Sequence, residues 1–447
     1  MNSPPLPPAL RHLLRSRRRR QWLQLCAGAL LAQGMAGTRA ANAATGTTGA
    51  NDPNAATPPT APPRSAAASD TPRPGVALQF PRDHGAHPNS RLEWWYATGW
   101  LQADGSTNAS TNASTNASTN ASTNASTNAS TNASAGARAR TDAALWGFQV
   151  TFFRAATGLA TGLSGRLAPR QLLLAHAAVT DISRQEHRHA DRMARWSGDT
   201  RPGLRVFASL DDAHVRLHDW HLERRGPLSG GVYDTQCRAA SFSLSLQLQC
   251  TQTLLLQGDQ GYSRKGPEER QASFYTTEPQ LRVSGQLSLG ERQVQGQGRA
   301  WMDHEWSNEL LHPDAVGWDW VGMNLDDGSA LTAFQLRRAD GRAVWAGGSW
   351  RPAGGHSISF TPSDVAFEAL AHWRSNASGA RYPIAWRIRS PAGLWTVRAL
   401  APAQELDSRN TTGTTYWEGL AGLLDSRGQR VGRGYLEMTG YAGRLSL

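Results

Sequence analysis

Polar and apolar positions alternate along most of this chain with a period of two, the pattern of half-buried strands. In residues 91–100, Leu92, Trp94 and Tyr96 fall on one side and Glu93 and Trp95 on the other. Alternation or short apolar runs recur at 145–154, 172–181, 206–210, 215–222, 242–250, 253–256, 272–276 and 280–289. A second series begins near Val294 and continues through 301–306, 317–325, 330–337, 344–350, 358–361, 384–388, 394–400, 416–419 and 432–441. Asp326-Asp327-Gly328-Ser329 supplies a hairpin turn between two of these runs. Residues 365–373 form the one short stretch that reads as a helix. So little helical periodicity predicts an all-β sandwich or barrel.

The stretch Trp301-Met302-Asp303-His304-Glu305-Trp306 concentrates ionisable groups among aromatics. If extended, it sends Trp301, Asp303 and Glu305 to one face and Met302, His304 and Trp306 to the other. Whichever face is interior, a buried ionisable group stands beside aromatic surface and needs a partner or a shifted pKa. Glu93, flanked by Trp94 and Trp95, poses the same question.

The predicted organisation is a signal peptide at 1–43, a flexible tether at 44–78, an amino-terminal domain at 79–290 and a carboxy-terminal domain at 291–447. Arg17 to Arg20 precede a modest apolar stretch and the small-residue site Ala41-Asn42-Ala43, and Arg19-Arg20-Gln21-Trp22-Leu23-Gln24 resembles a twin-arginine export signal. The expected location is therefore periplasmic or secreted, without a transmembrane segment in the mature chain. Within 105–140, the tetrapeptide Ser-Thr-Asn-Ala repeats seven times from Ser106 to Ala133, an insertion with too little apolar surface to order itself.

The formal charge of +11 loses its meaning once export is considered, because residues 1–43 hold seven arginines and no acid. Without them 39 basic residues face 35 acidic ones, a net of +4, and no nucleic-acid partner is indicated. Cys26 leaves with the signal, and Cys237 and Cys250 remain as an expected disulfide in an oxidising compartment. No metal site is predicted: Asp303, His304 and Glu305 are consecutive on a strand and do not converge on one ion.

Several blocks together resemble the secreted lipocalin-like family that includes bacterial carotenoid 1,2-hydratases and AttH-type periplasmic proteins. They are His87-Pro88 with Glu93-Trp94-Trp95-Tyr96, Gly147-Phe148-Gln149, His176-Ala177-Ala178-Val179-Thr180-Asp181, Gly261-Tyr262-Ser263-Arg264-Lys265-Gly266, the 301–306 stretch, Gly317-Trp318-Asp319-Trp320 and residues 434–441. The resemblance implies two lipocalin-like antiparallel β-barrel or barrel-like domains packed together, and a hydrophobic small molecule as ligand. Its sharpest enzymatic version is acid-catalysed addition of water to an alkene of a terpenoid or carotenoid, which needs no cofactor. In that chemistry Asp303 is the expected proton donor, with His304 or Glu305 tuning it or placing water; Glu93 is the reserve acid and Tyr262 the reserve hydroxyl. Trp94, Trp95, Tyr96, His176, Trp301, Trp318 and Trp320 are the expected ligand contacts. The alternative is a non-enzymatic carrier or accessory protein of an ABC transport system, and a different hydrolase or cyclase is a third reading.

Overall fold

Period-two alternation becomes strand pairing throughout the computed structural model, which describes residues 70–103, 145–158, 170–201 and 203–445. The export segment, the tether up to residue 69 and the 105–140 insertion lie outside these residues. The first strands are β1 (Leu92–Ala103), β2 (Leu145–Ala156), β3 (Gln171–Asp181), β4 (Glu186–Trp196), β5 (Val206–Ala208), β6 (His214–Leu217) and β7 (Trp220–Arg225). There follow β8 (Val232–Arg238), β9 (Phe242–Gln249), β10 (Leu255–Leu256), β11 (Tyr262–Arg264), β12 (Ala272–Leu289) and β13 (Arg292–Ser307). These form one antiparallel sheet, with main path β4-β3-β2-β1-β13-β12-β9-β8-β7-β6-β5 and β10 and β11 both pairing with β12.

The second sheet begins with β14 (Gly317–Leu325), β15 (Ala330–Arg337), β16 (Ala343–Arg351), β17 (Ile358–Phe360) and β18 (Ala366–Arg374). It is completed by β19 (Arg381–Ser390), β20 (Gly393–Ala399), β21 (Glu405–Ser408), β22 (Thr414–Leu424) and β23 (Arg430–Met438). Its order is β17-β16-β15-β14-β23-β22-β20-β19-β18, with β21 on β22. The all-β, barrel-like expectation holds. Each sheet curls around its own apolar core: Trp95, Phe148, Leu173, Trp220, Leu246 and Met302 in the first, and Val321, Leu331, Tyr382, Ile388, Trp417 and Leu436 in the second. A third cluster, including Tyr96, Trp100, Trp301, Trp320, Leu420 and Tyr435, joins the sheets face to face. Gly147 permits the approach, since a Cβ there would stand 2.9 Å from the Tyr435 hydroxyl oxygen. Among the described residues no helix is long and apolar enough to cross a membrane.

Four sequence expectations change. Residues 365–373 are strand β18, antiparallel to β19 at the sheet edge; backbone pairing overrides a spacing that suits a helix, and Phe367 and Trp373 pack on the second core. The run 215–222 is two strands, β6 and β7, folded back where His218 takes a φ of 62°. Strand β13, which the start of a second region near Val294 would put in the second sheet, is central to the first, so the change of sheet falls at 308–316. Finally, Cys237 and Cys250 are free and buried. Cys237 lies opposite Leu244 in the β8–β9 hairpin, six positions from Cys250. At about 3.3 Å per residue that is roughly 20 Å, far beyond disulfide reach.

Candidate functional site

One row of directly opposed residues crosses the first sheet on its face toward the second: Thr277, Asp303, Tyr96, Thr151, His176 and Asp191. The second sheet answers with Phe334, Trp320, Glu437 and Glu418. Directly paired residues share a sheet face, so the two rows become floor and roof of a cavity of about 330 Å³. The cavity therefore lies between the sheets. Its walls are largely apolar, with Leu92, Trp94, Phe153, Leu174, Leu310 and Trp318 among them.

Asp303 is the best-held acid in this space. Its Oδ1 accepts from Thr277 Oγ1 at 2.6 Å and from Trp301 Nε1 at 2.8 Å, and its Oδ2 accepts from the Tyr275 hydroxyl at 2.7 Å. Tyr275 oxygen in turn accepts from Trp320 Nε1 at 3.1 Å. Burial pushes Asp303 up to about 7, against the pull of those three donors. Trp301 and Trp320 meet edge-on with centroids 6.2 Å apart. Gly322 makes this fit possible, because a Cβ there would come within 2.3 Å of the Trp320 ring.

Around it stand other buried ionisable groups. Glu305 pairs with Lys265, Nζ to Oε1 at 3.0 Å, and accepts from Ser273. Lys265 Nζ also lies 4.7 Å and 4.3 Å from the ring centroids of Tyr275 and Phe334. Burial raises Glu437 to about 8, and burial together with neighbouring Glu437 holds Glu418 well above the usual carboxylate range. Burial thus lifts three cavity acids, Asp303, Glu437 and Glu418, above the ordinary carboxylate range.

Alternation separates His304 from this chemistry. It lies on the other face of β13, stacked on Trp95 with centroids 4.8 Å apart, and its Nε2 is 3.1 Å from Glu93 Oε1. Glu93 also meets His87 Nδ1 at 2.7 Å and Arg154 Nε at 2.7 Å. Although burial opposes it, Arg154 and His87 hold the Glu93 carboxyl well below the ordinary range. His87, Glu93 and His304 offer ligand atoms within 4.8 Å of one another. Both imidazoles face Glu93 Oε1 at hydrogen-bond distance, and the Arg154 guanidinium on Oε2 balances the carboxylate charge.

Of the residues predicted from sequence, the cavity brings together Asp303, Glu305, Glu93, Trp94, Tyr96, His176, Trp318 and Trp320. Trp301 supports Asp303 through its indole N–H. Trp95 and His304 belong to the opposite face, and the Glu93 carboxylate is engaged there with His87, Arg154 and His304. Tyr262 donates to the Glu269 carbonyl and packs with Phe274 and Trp306 in a separate small cluster, so it is not a cavity hydroxyl. Tyr275, Tyr416, Glu418 and Glu437 were not singled out. The last two carried the signal already used for Glu93, an acid embedded in an aromatic and apolar strand.

Comparison with known proteins agrees with this architecture. A family model described as AttH-like matches residues 134–441. An AttH candidate from Nitrosomonas europaea, known as a crystal structure, is 38% identical, with TM-score 0.67 over 83% of this chain and 99% of that one. Kievitone hydratase from Nectria haematococca shares the fold at 11% identity, with TM-score 0.55 over 83% of this chain and 96% of its own. No curated protein matches the sequence. The chain belongs to the AttH-like family.

Proposed function

We propose that this protein is an exported hydratase-like enzyme that adds water to an alkene of a largely apolar, terpenoid-like molecule, or removes it in the reverse direction. The observation that carries the reading is Asp303, a carboxyl group raised to about 7 and joined to the hydroxyl of Tyr275 in an apolar cavity. Both Asp303 oxygens are already engaged, so the proton reaches the cavity through Tyr275. In the hydration direction Asp303 is neutral and the bond between the two groups is reversed, Asp303 Oδ2–H donating to the Tyr275 oxygen. Tyr275 then passes its hydrogen to the alkene carbon, the C=C π electrons form the new C–H bond, and Asp303 replaces the hydrogen and is left as carboxylate. The resulting tertiary carbocation lies against Trp318, Trp320 and Phe334, whose ring faces stabilise positive charge without forming a bond. Water then adds to the cation, and the proton it loses returns through Tyr275 to the Asp303 carboxylate. Residues 17–20 with Ala41-Asn42-Ala43 support export, and with it a reaction in the periplasm or outside the cell.

The test is turnover of a terpenoid bearing a trisubstituted terminal alkene, following the tertiary alcohol by mass spectrometry. Asp303→Asn should retain the fold and lose at least about a hundredfold in rate, the usual scale for removing a general acid. Undiminished turnover in that variant would sink the assignment.

A further inference from the structure

The far end of the cavity carries a hydrogen-bonding arrangement that proton donation at Asp303 does not use. His176, fully enclosed, faces the Tyr416 hydroxyl with Nδ1 at 2.8 Å and Thr411 Oγ1 with Nε2 at 3.0 Å. Thr411 has one hydroxyl hydrogen, and the Asp191 carboxylate oxygen accepts it at 2.7 Å. Thr411 must then accept from His176 Nε2–H. Burial holds His176 neutral, down to about 3, so its Nδ1 is an acceptor and Tyr416 donates to it. The remaining capacity of the Tyr416 oxygen is taken by Gln149 Nε2 at 3.2 Å.

The chain from Asp191 to Gln149 Nε2 is thereby matched donor to acceptor, and Thr151 stands beside it with its hydroxyl unpaired, as are Gln149 Oε1 and, on the same cavity wall, the Tyr96 hydroxyl and Glu418 Oε1. Thr151 is 2% exposed, lines the cavity between Tyr96 and His176, and its hydroxyl has no hydrogen-bond partner among the described residues. A buried hydroxyl left unpaired costs about 1–3 kcal/mol, so the position favours an occupant that can hydrogen-bond to it. The cavity's two cations are committed elsewhere, Arg154 to Glu93 and Lys265 to Glu305. Among the described residues nothing at this end attracts an anion, and the Asp191 carboxylate opposes one.

We infer that Thr151, backed by the fixed His176–Tyr416 pair, forms a subsite for a neutral oxygen function, a hydroxyl or carbonyl, at one end of an elongated apolar molecule. Two strand spacings separate Thr151 from Asp303 and three separate His176 from it, about 10 Å and about 14 Å. That spacing selects a long substrate with oxygen at one end and its alkene at the other, and selects against a hydrocarbon of the same length. Assigning the alkene to the Asp303 end rests on the proposed hydration; the polar subsite does not.

Farnesol and β-farnesene, a matched alcohol and hydrocarbon, test this by quenching of tryptophan fluorescence, since Trp94, Trp318 and Trp320 line the cavity. Wild type should bind farnesol about tenfold more tightly, the effect of one buried hydrogen bond. Thr151→Val should bring the two affinities together, and Thr151→Ser, which keeps the hydroxyl, should restore the preference. Asp303→Asn should retain it. Equal binding of both probes by wild type, binding of neither, or an unchanged preference in folded Thr151→Val overturns the subsite. If Thr151→Val does not fold, equal affinities in Thr151→Ser overturn it and a retained preference supports it. Because binding is read without turnover, failure of the hydration chemistry leaves this result distinguishable.

Discussion

Asp303 and His304 are consecutive in the chain yet serve opposite sides of one strand. Asp303 meets Tyr275 in the cavity between the sheets, while His304 stacks on Trp95 and meets Glu93 across the strand. Their substitutions should therefore separate activity from stability. Asp303→Asn should leave the unfolding midpoint in denaturant close to wild type at about pH 4, where the carboxyl is neutral in the folded and the unfolded chain, while abolishing most turnover at neutral pH. His304→Ala should lower stability by about 3–5 kcal/mol, because it removes one partner from a buried charged network and opens space beside Trp95. A His304→Ala protein as stable as wild type would show that the network does not hold this face together.

In the proposed proton transfer Tyr275 is the hydroxyl that links Asp303 to the alkene. Tyr275→Phe keeps the ring against Lys265 and removes only the oxygen shared by Asp303 and Trp320. The expected result is a folded protein with kcat reduced about a hundredfold and KM little changed, since the interaction matters most during proton transfer. A rise in KM with kcat intact would instead mark Tyr275 as a binding residue.

How much of this was legible beforehand depends on the range of each signal. Alternation within 301–306 put Asp303 and Glu305 opposite His304, and within 317–325 it put Trp318 and Trp320 on one face; both arrangements are found. The Asp326 to Ser329 turn was equally local, with Gly328 at a φ of 91°. Strand β4 escaped because Arg188, His189, Arg192 and Arg195 interrupt its apolar pattern at a partly exposed sheet edge. The site as a whole escaped because it is made by register. Asp303, Tyr96, Thr151 and His176 come from four strands and align only when those strands pair, while Glu418 and Glu437 enter from the other sheet. No local pattern encodes that meeting, nor the free state of Cys237 and Cys250.

The raised acids also predict how stability varies with pH. Asp303 at about 7 and Glu437 at about 8 hold their protons in the folded protein over a range in which the unfolded chain has released them. The folded state then binds more protons, so stability falls as pH rises from about 4 toward these values. Each group takes away about 1.4 kcal/mol per pH unit inside its window. Denaturation midpoints measured between pH 5 and 8 should therefore flatten in Asp303→Asn and again in Glu437→Gln. An unchanged slope in both variants would show that burial does not keep these carboxyls neutral.

The seven-fold Ser-Thr-Asn-Ala repeat lies between β1 and β2, whose register places Gln102 directly opposite Leu145. The strand ends it connects are thus already adjacent, close enough for a loop of about four residues to join them. Replacing residues 104–144 by such a loop should preserve the fold and the β1–β2 pairing. Loop closure costs only about 0.6 kcal/mol for each doubling of length, so the shortened chain should be more stable by about 2 kcal/mol. Chemical denaturation of the two proteins side by side checks this. A loss of stability of similar size would mean that the repeat contributes contacts of its own, and would change its meaning from a tolerated insertion to a part of the fold.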